Sequence, residues 1–201
     1  MSGQLFDAEG AMRQNPQFHE SEGLLPTHQE HYRLSEYLLQ AAGADGMIDW
    51  RDVRPEEFHP SLFPSLVMYD VVLDEKGTPA DFVYRIMGNR LIEFSKVNMT
   101  GKPLSTFPYP KIRDTVMEIA KQAHTSGRPI FCATYANVDG DKTLLTERSM
   151  YPIRRNGGPA ILGLITVTKP PPPYSELFKE KFLEAAEDDY FRMLDAPNAW
   201  A

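Results

Sequence analysis

Hydrophobic positions recur along this chain with two periods, and the switches between them predict its elements. Leu34, Tyr37, Leu38 and Ala41 fall at helical spacing and Gly43 supplies a stop, so an amphipathic helix is expected over 31–42. The stretch "DWRDVRPEEFHPSLFPSL" then carries three prolines, each disfavouring helix in the residue before it, and reads as an extended connector. "LVMYDVVLD" (66–74) and "FVYRIMG" (82–88) have strand character and are joined by the turn material "EKGTPAD", which predicts an antiparallel hairpin. "NRLIEFSK" is short and helical, and a loop follows it. Ile112, Val116, Ile119, Ala120 and Ala123 next form a stripe on one face of a longer helix whose other face carries Arg113, Asp114, Glu118, Lys121 and Gln122, with Gly127 ending it. "PIFCATYANV", "TLLTERSMYPI" and "AILGLITVTK" are three strands separated by the short turns "DGDK" and "RRNGGP", the pattern of an antiparallel meander.

The alternation within the strands carries further information. Val67, Tyr69, Val71 and Leu73 share one face of the first strand, while Leu66, Met68, Asp70 and Val72 share the other. The last strand repeats this, with Ile161, Ile165 and Val167 against Leu162 and Leu164. A sheet with one wet face alternates apolar with polar residues, so both faces of this one are expected to be covered. The helix over 31–42 and a second copy of the chain are the two candidates for the outer face.

Both ends read differently from the middle. Residues 1–27 lack periodicity and are rich in Gln, Glu, Gly, Ser and Asn, and are expected to be a mobile arm. Residues 28–169 make up the ordered domain with its cap helix. Residues 170–201 comprise a polyproline spacer, "PPPPY", and a helix over "SELFKEKFLEAAEDDYFRMLD" whose acidic surface is a candidate docking element or simply a solvated face.

Composition narrows the function. The chain has 201 residues, 42% of them hydrophobic, enough for one domain with a substantial core. No apolar run reaches membrane-spanning length, and the N-terminus lacks the basic start and apolar stretch of a secretion signal, so a cytoplasmic protein is expected. A net charge of −7 without a dense Lys/Arg run disfavours nucleic acid as a partner. The single cysteine, Cys132, excludes an internal disulfide and sits among apolar strand residues.

Several chemical patterns fail on inspection. Thr100-Gly101-Lys102 resembles the end of a phosphate-binding loop, but Lys96 and Pro103 stand where such a loop needs glycine and a hydroxyl residue; Gly101 is better read as a turn with positive φ. "NVDGDKTLLTER" begins like a calcium loop, yet Lys142 and Arg148 occupy the required Gly and Glu positions, which leaves a hairpin turn. His28 and His31 lack a third ligand of matching spacing, so they read as solvated histidines at a helix start and no metal site is expected. Ser149, His124 and an aspartate lack the sequence context of a hydrolase. "PPPPY" also fits the P-P-x-Y recognition pattern, though a rigid spacer is the simpler reading. Asp70 and Glu147 are unusual on strands. They are either a structural pairing with Arg85 or Arg148 across neighbouring strands, or a carboxylate base with a raised pKa in a cavity.

Two strands, a helical crossing and three strands in this order resemble a PAS domain, and individual residues extend the likeness. Trp50, Leu62-Phe63-Pro64, Asp70, Tyr84-Arg85 with Gly88, Thr100-Gly101-Lys102-Pro103-Leu104, and Glu147-Arg148 with Pro152 follow the order of motifs in the bacterial single-domain PAS family of the PAS_5 type, a domain of unknown function. The resemblance covers roughly 47–168. It implies an α+β fold with a five-stranded antiparallel sheet, helices on one face and N- and C-terminal flanking helices. It also implies a non-catalytic sensor that binds a small ligand or a protein partner, forms a homodimer and signals in trans through its flanking helices. No cofactor is required; haem through His124, as in some PAS domains, is disfavoured because that residue lies at the edge of the apolar stripe. The expected ligand pocket is lined by Tyr84, Ile86, Asn89, Phe94, Val116, Ile119, Ala120, Cys132 and Met150, with a filled core as the alternative. A small α+β enzyme using Asp70 or Glu147 as general base is the competing functional reading.

Overall fold

The structure, a computed structural model, describes residues 18–21, 23–43, 46–138, 141–167 and 188–193. The polyproline spacer, residues 1–17 and 22 of the expected arm, and 175–187 and 194–195 of the expected C-terminal helix lie outside the described residues. The chain is α+β with a mixed sheet. Its strands are β1 (Phe18–Glu20), β2 (Ile48–Asp49), β3 (Leu66–Leu73), β4 (Pro79–Met87), β5 (Ile130–Val138), β6 (Asp141–Arg155), β7 (Gly158–Val167) and β8 (Asp188–Met193). The helices are α1 (Gln29–Ala41), α2 (Asn89–Ser95) and α3 (Pro110–Ser126).

The continuous part of the sheet runs β5-β6-β7-β3-β4, antiparallel throughout, with the expected hairpin β3–β4 and the expected meander β5–β6–β7. Two features depart from a purely antiparallel five-stranded sheet. The connector contributes β2, which lies parallel to the end of β6 through Ile48 opposite Ile153. Residues 188–193 form β8, antiparallel to β5, and β1 adds to it in parallel. These parallel pairs join segments far apart in sequence, where no hairpin turn dictates direction. Residues 188–193 are thus strand where helical periodicity predicts helix: "DDYFRM" has two β-favouring aromatics at its centre, and the unpaired edge of β5 supplies hydrogen-bond partners that outweigh a weak helical preference.

Both sheet faces are buried, as the alternation requires. On the inner face Val67, Tyr69, Ile161, Met150, Ile130 and Cys132 pack against Val116, Ile119, Ala120 and Ala123 of α3 and Leu91 of α2. On the outer face Met68, Leu66, Leu162, Leu164 and Tyr151 pack against Leu34 and Leu38 of α1 and Val53, Phe58 and Leu62 of the connector. The chain's own helix therefore covers this part of the outer face. Pro110 at the first turn of α3 loses no helical hydrogen bond there, and Gly127 closes the helix in the left-handed conformation. Gln122, placed on the polar face by periodicity, is buried.

Two glycines fix the path around the inner cavity. Gly101 has φ of 82° and its N–H donates to the Tyr84 carbonyl at 2.8 Å, which fastens the loop after α2 to the free edge of β4. A Cβ on Gly88 would stand 2.3 Å from the Pro64 carbonyl oxygen, so only glycine lets β4 pass the turn at Phe63–Ser65 into α2.

Candidate functional site

Strand β6 is the middle strand of the sheet order, and its period of two sends consecutive side chains to opposite layers. Thr146, Arg148 and Met150 point inward, while Glu147, Ser149 and Tyr151 point to the outer layer; the register with β5 and β7 sets Arg148 opposite Cys132 and Ile165, and Glu147 opposite Ala133 and Thr166.

The inner layer encloses a cavity of about 50 Å³ between the sheet, α2 and α3. Val67, Tyr84, Leu91, Phe107 and Val116 form much of its wall, and half-buried Met87, Phe94, Ile112, Ile165 and Val167 its margin. Arg148, only 2% exposed, is the one charged residue in the lining. Its Nη1 donates to Thr134 Oγ1 across β5, while its Nε finds no partner. Beside it, Thr146 Oγ1 is also buried without a partner. Among the described residues no carboxylate pairs with Arg148; Asp70 is held on the opposite face by Arg85 and Arg155. Tyr69 and Tyr84 meet edge to face nearby, with ring centroids 4.6 Å apart. Burial pushes the Tyr84 hydroxyl up to about 12 and raises that of Tyr69 well above its ordinary value, against the opposing pull of the Arg148 charge, so both stay protonated.

The outer layer holds a second polar cluster. Glu147, 1% exposed, accepts from the Thr27 N–H at 2.7 Å and the His28 N–H at 3.0 Å, and its Oε2 lies 2.7 Å from His28 Nδ1. His28 is the residue just before α1 and makes no side-chain cap of its own, so Glu147 supplies the anion that the helix N-terminus favours. His31 is fully buried between Ser149, 2.6 Å from Nδ1, and Thr166, 2.9 Å from Nε2, with Glu147 Oε2 3.7 Å away. Burial, reinforced by the neighbouring His28, lowers its pKa from 6.5 to about 3, which keeps the ring neutral. The expectation of solvated histidines is corrected for His31: a ring flanked by two hydroxyls that exchange donor and acceptor roles with it can be buried without charge. Among the described residues no cluster of three or more ligating side chains suits a metal.

The residues singled out from sequence scatter accordingly. Tyr84, Phe94 and Val116 line the cavity. Ile119, Ala120, Cys132 and Met150 belong to the solid inner core beside it. Ile86 packs at the margin of the outer layer, and Asn89 is exposed at the start of α2. His124 is half-buried near the end of α3 and is not in the lining. Asp70 pairs with Arg85 at 2.6 Å, as the structural alternative anticipates, and also with Arg155 at 2.8 Å. Glu147 pairs with no arginine among the described residues; its partners are the start of α1. Both carboxylates thus sit in the layer opposite the cavity. Arg148 and Thr146 are the polar residues that β6 brings to the lining and that sequence reasoning missed. Their signal was the same alternation already used on the other strands, applied to "TER" with Met150 as the inward reference. No helix among the described residues is long and apolar enough to cross a membrane. Comparison of the chain with protein-family models, with curated proteins and with solved structures found no match.

Proposed function

We propose that this chain is a non-catalytic sensor or regulatory module of PAS type, which binds a small ligand in its inner cavity and signals in trans to a protein partner. The observation that carries this reading is the cavity itself: a largely apolar space between the sheet and two helices, with a few polar groups at its floor, is the form that ligand sites take. The order of two strands, a helical crossing and three strands supports the PAS likeness. The flanking α1, held on the sheet by Glu147 one residue from the cavity's Arg148, supports output through the flanking segments. A homodimer would use a surface other than the outer face that α1 covers.

The competing enzymatic reading needs a carboxylate facing the cavity, and neither Asp70 nor Glu147 does so. Native mass spectrometry of freshly purified protein tests the proposal. Extra mass that is lost on denaturation, and that is absent from the Ile112→Trp variant with its bulkier margin, is the expected result. Bare protein that also fails to bind small apolar probes would overturn it.

A further inference from the structure

Resting on the ligand-binding reading above, we infer that the cavity takes a small carboxylate with a short apolar body, gripped by Arg148. The guanidinium is charged at every physiological pH and 2% exposed, yet among the described residues it has no anionic partner. Burying a charge without a counter-charge is strongly unfavourable, and proteins tolerate it where something else supplies the missing charge. With Nη1 committed to Thr134, the free Nε lies on the edge of the fork that carboxylates accept from in bidentate fashion. Thr146 Oγ1, two residues away on the same strand face, is likewise buried without a partner. The rest of the lining is Val67, Leu91, Phe94, Phe107 and Ile112 with their neighbours, which suits a hydrocarbon chain and excludes a highly hydrated anion. The small volume, about 50 Å³, calls for a ligand of a few carbons unless the half-buried margin opens.

The test uses the full chain and two probes of equal shape, butyrate and butyramide, titrated by calorimetry or by ligand-observed NMR. Butyrate is expected to bind at least roughly tenfold tighter than the amide, as a hydrogen bond to a charged group requires. The Arg148→Met variant is expected to lose that preference while remaining folded, because Met removes the charge and keeps much of the stem. Arg148→Lys is expected to retain part of it, and serves if the Met variant does not fold. Equal binding of both probes would sustain the pocket and overturn the carboxylate. Binding of neither would overturn both readings. The register of β8 on β5 sets Asp189 opposite Thr134, so an internal counter-charge is the rival explanation. If Asp189→Asn creates carboxylate binding that the unaltered chain lacks, the cavity's charge is matched by the chain itself and the inference fails.

Discussion

Acidification from pH 7 to pH 5 tests the neutral burial of His31. The folded chain holds this ring at about 3, whereas the unfolded chain holds it at its ordinary 6.5. Below 6.5 the unfolded state therefore takes up a proton that the folded state refuses, so stability is full above that value and is lost as the pH falls through the window toward 3. Integrating the linkage from pH 7 to pH 5 gives a loss of about 2 kcal/mol from this one residue. Urea unfolding at the two pH values measures it, with the midpoint shifting and the slope unchanged. Other groups also titrate, so the comparison is with His31→Gln, which keeps a donor and an acceptor near Ser149 and Thr166 but has no proton to gain. The variant is expected to be less stable at pH 7 and to lose about 2 kcal/mol less than the parent on acidification. Parallel losses in the two proteins would mean that His31 takes up its proton as readily in the folded chain as in the unfolded one, and the account of the outer cluster would fail.

Three further substitutions probe how the layers are held. Glu147→Ala strips the acceptor from the Thr27 and His28 N–H groups and is expected to destabilise by about 2–4 kcal/mol in urea unfolding; a change under about 0.5 would show that α1 does not depend on it. Gly88→Ala forces a Cβ against the backbone of Pro64 and is expected to lower Tm by roughly 4–8 °C, from a cost of about 2 kcal/mol; an unchanged melting curve would refute the close approach. Asp70→Asn breaks a part-exposed ion triplet with Arg85 and Arg155, and is expected to cost about 1 kcal/mol or less and to matter less in high salt, while leaving ligand binding intact.

Much of the fold was legible because each element answers to a local rule. The stripe from Ile112 to Ala123 marks α3, and the turn sequences "DGDK" and "RRNGGP" mark the breaks between the meander strands. The two-sided apolar alternation of β3 and β7 required a cover for the outer face, and Leu34 and Leu38 of α1 provide it. The edge of the sheet was not legible. Whether "DDYFRM" joins a helix or a strand depends on an open edge of β5 formed some fifty residues earlier, and no window of local sequence contains that edge. His31 escaped for a related reason: its acceptability in the core rests on Ser149 and Thr166, more than a hundred residues away in the chain.

The candidate site shows the limit most sharply in the pair Glu147-Arg148. Adjacent opposite charges invite the thought that each serves the other, or that each finds a partner across neighbouring strands. On a strand, however, neighbours in sequence are the residues least able to meet, since a half-period puts the sheet between them. Glu147 finds the N-terminus of α1 on one side and Arg148 finds the cavity on the other. Once the inward register is fixed by Met150, an inward arginine follows from counting by two; that it lacks a carboxylate among the described residues does not, because this depends on what the facing helices bring. Of the residues lining the cavity from α2 and α3, Leu91, Phe94, Ser95, Ile112 and Val116, none carries a charge. The helices that close the inner layer thus leave the buried cation to be met from elsewhere, which is why the carboxylate inference turns on Arg148 and not on the shape of the cavity alone.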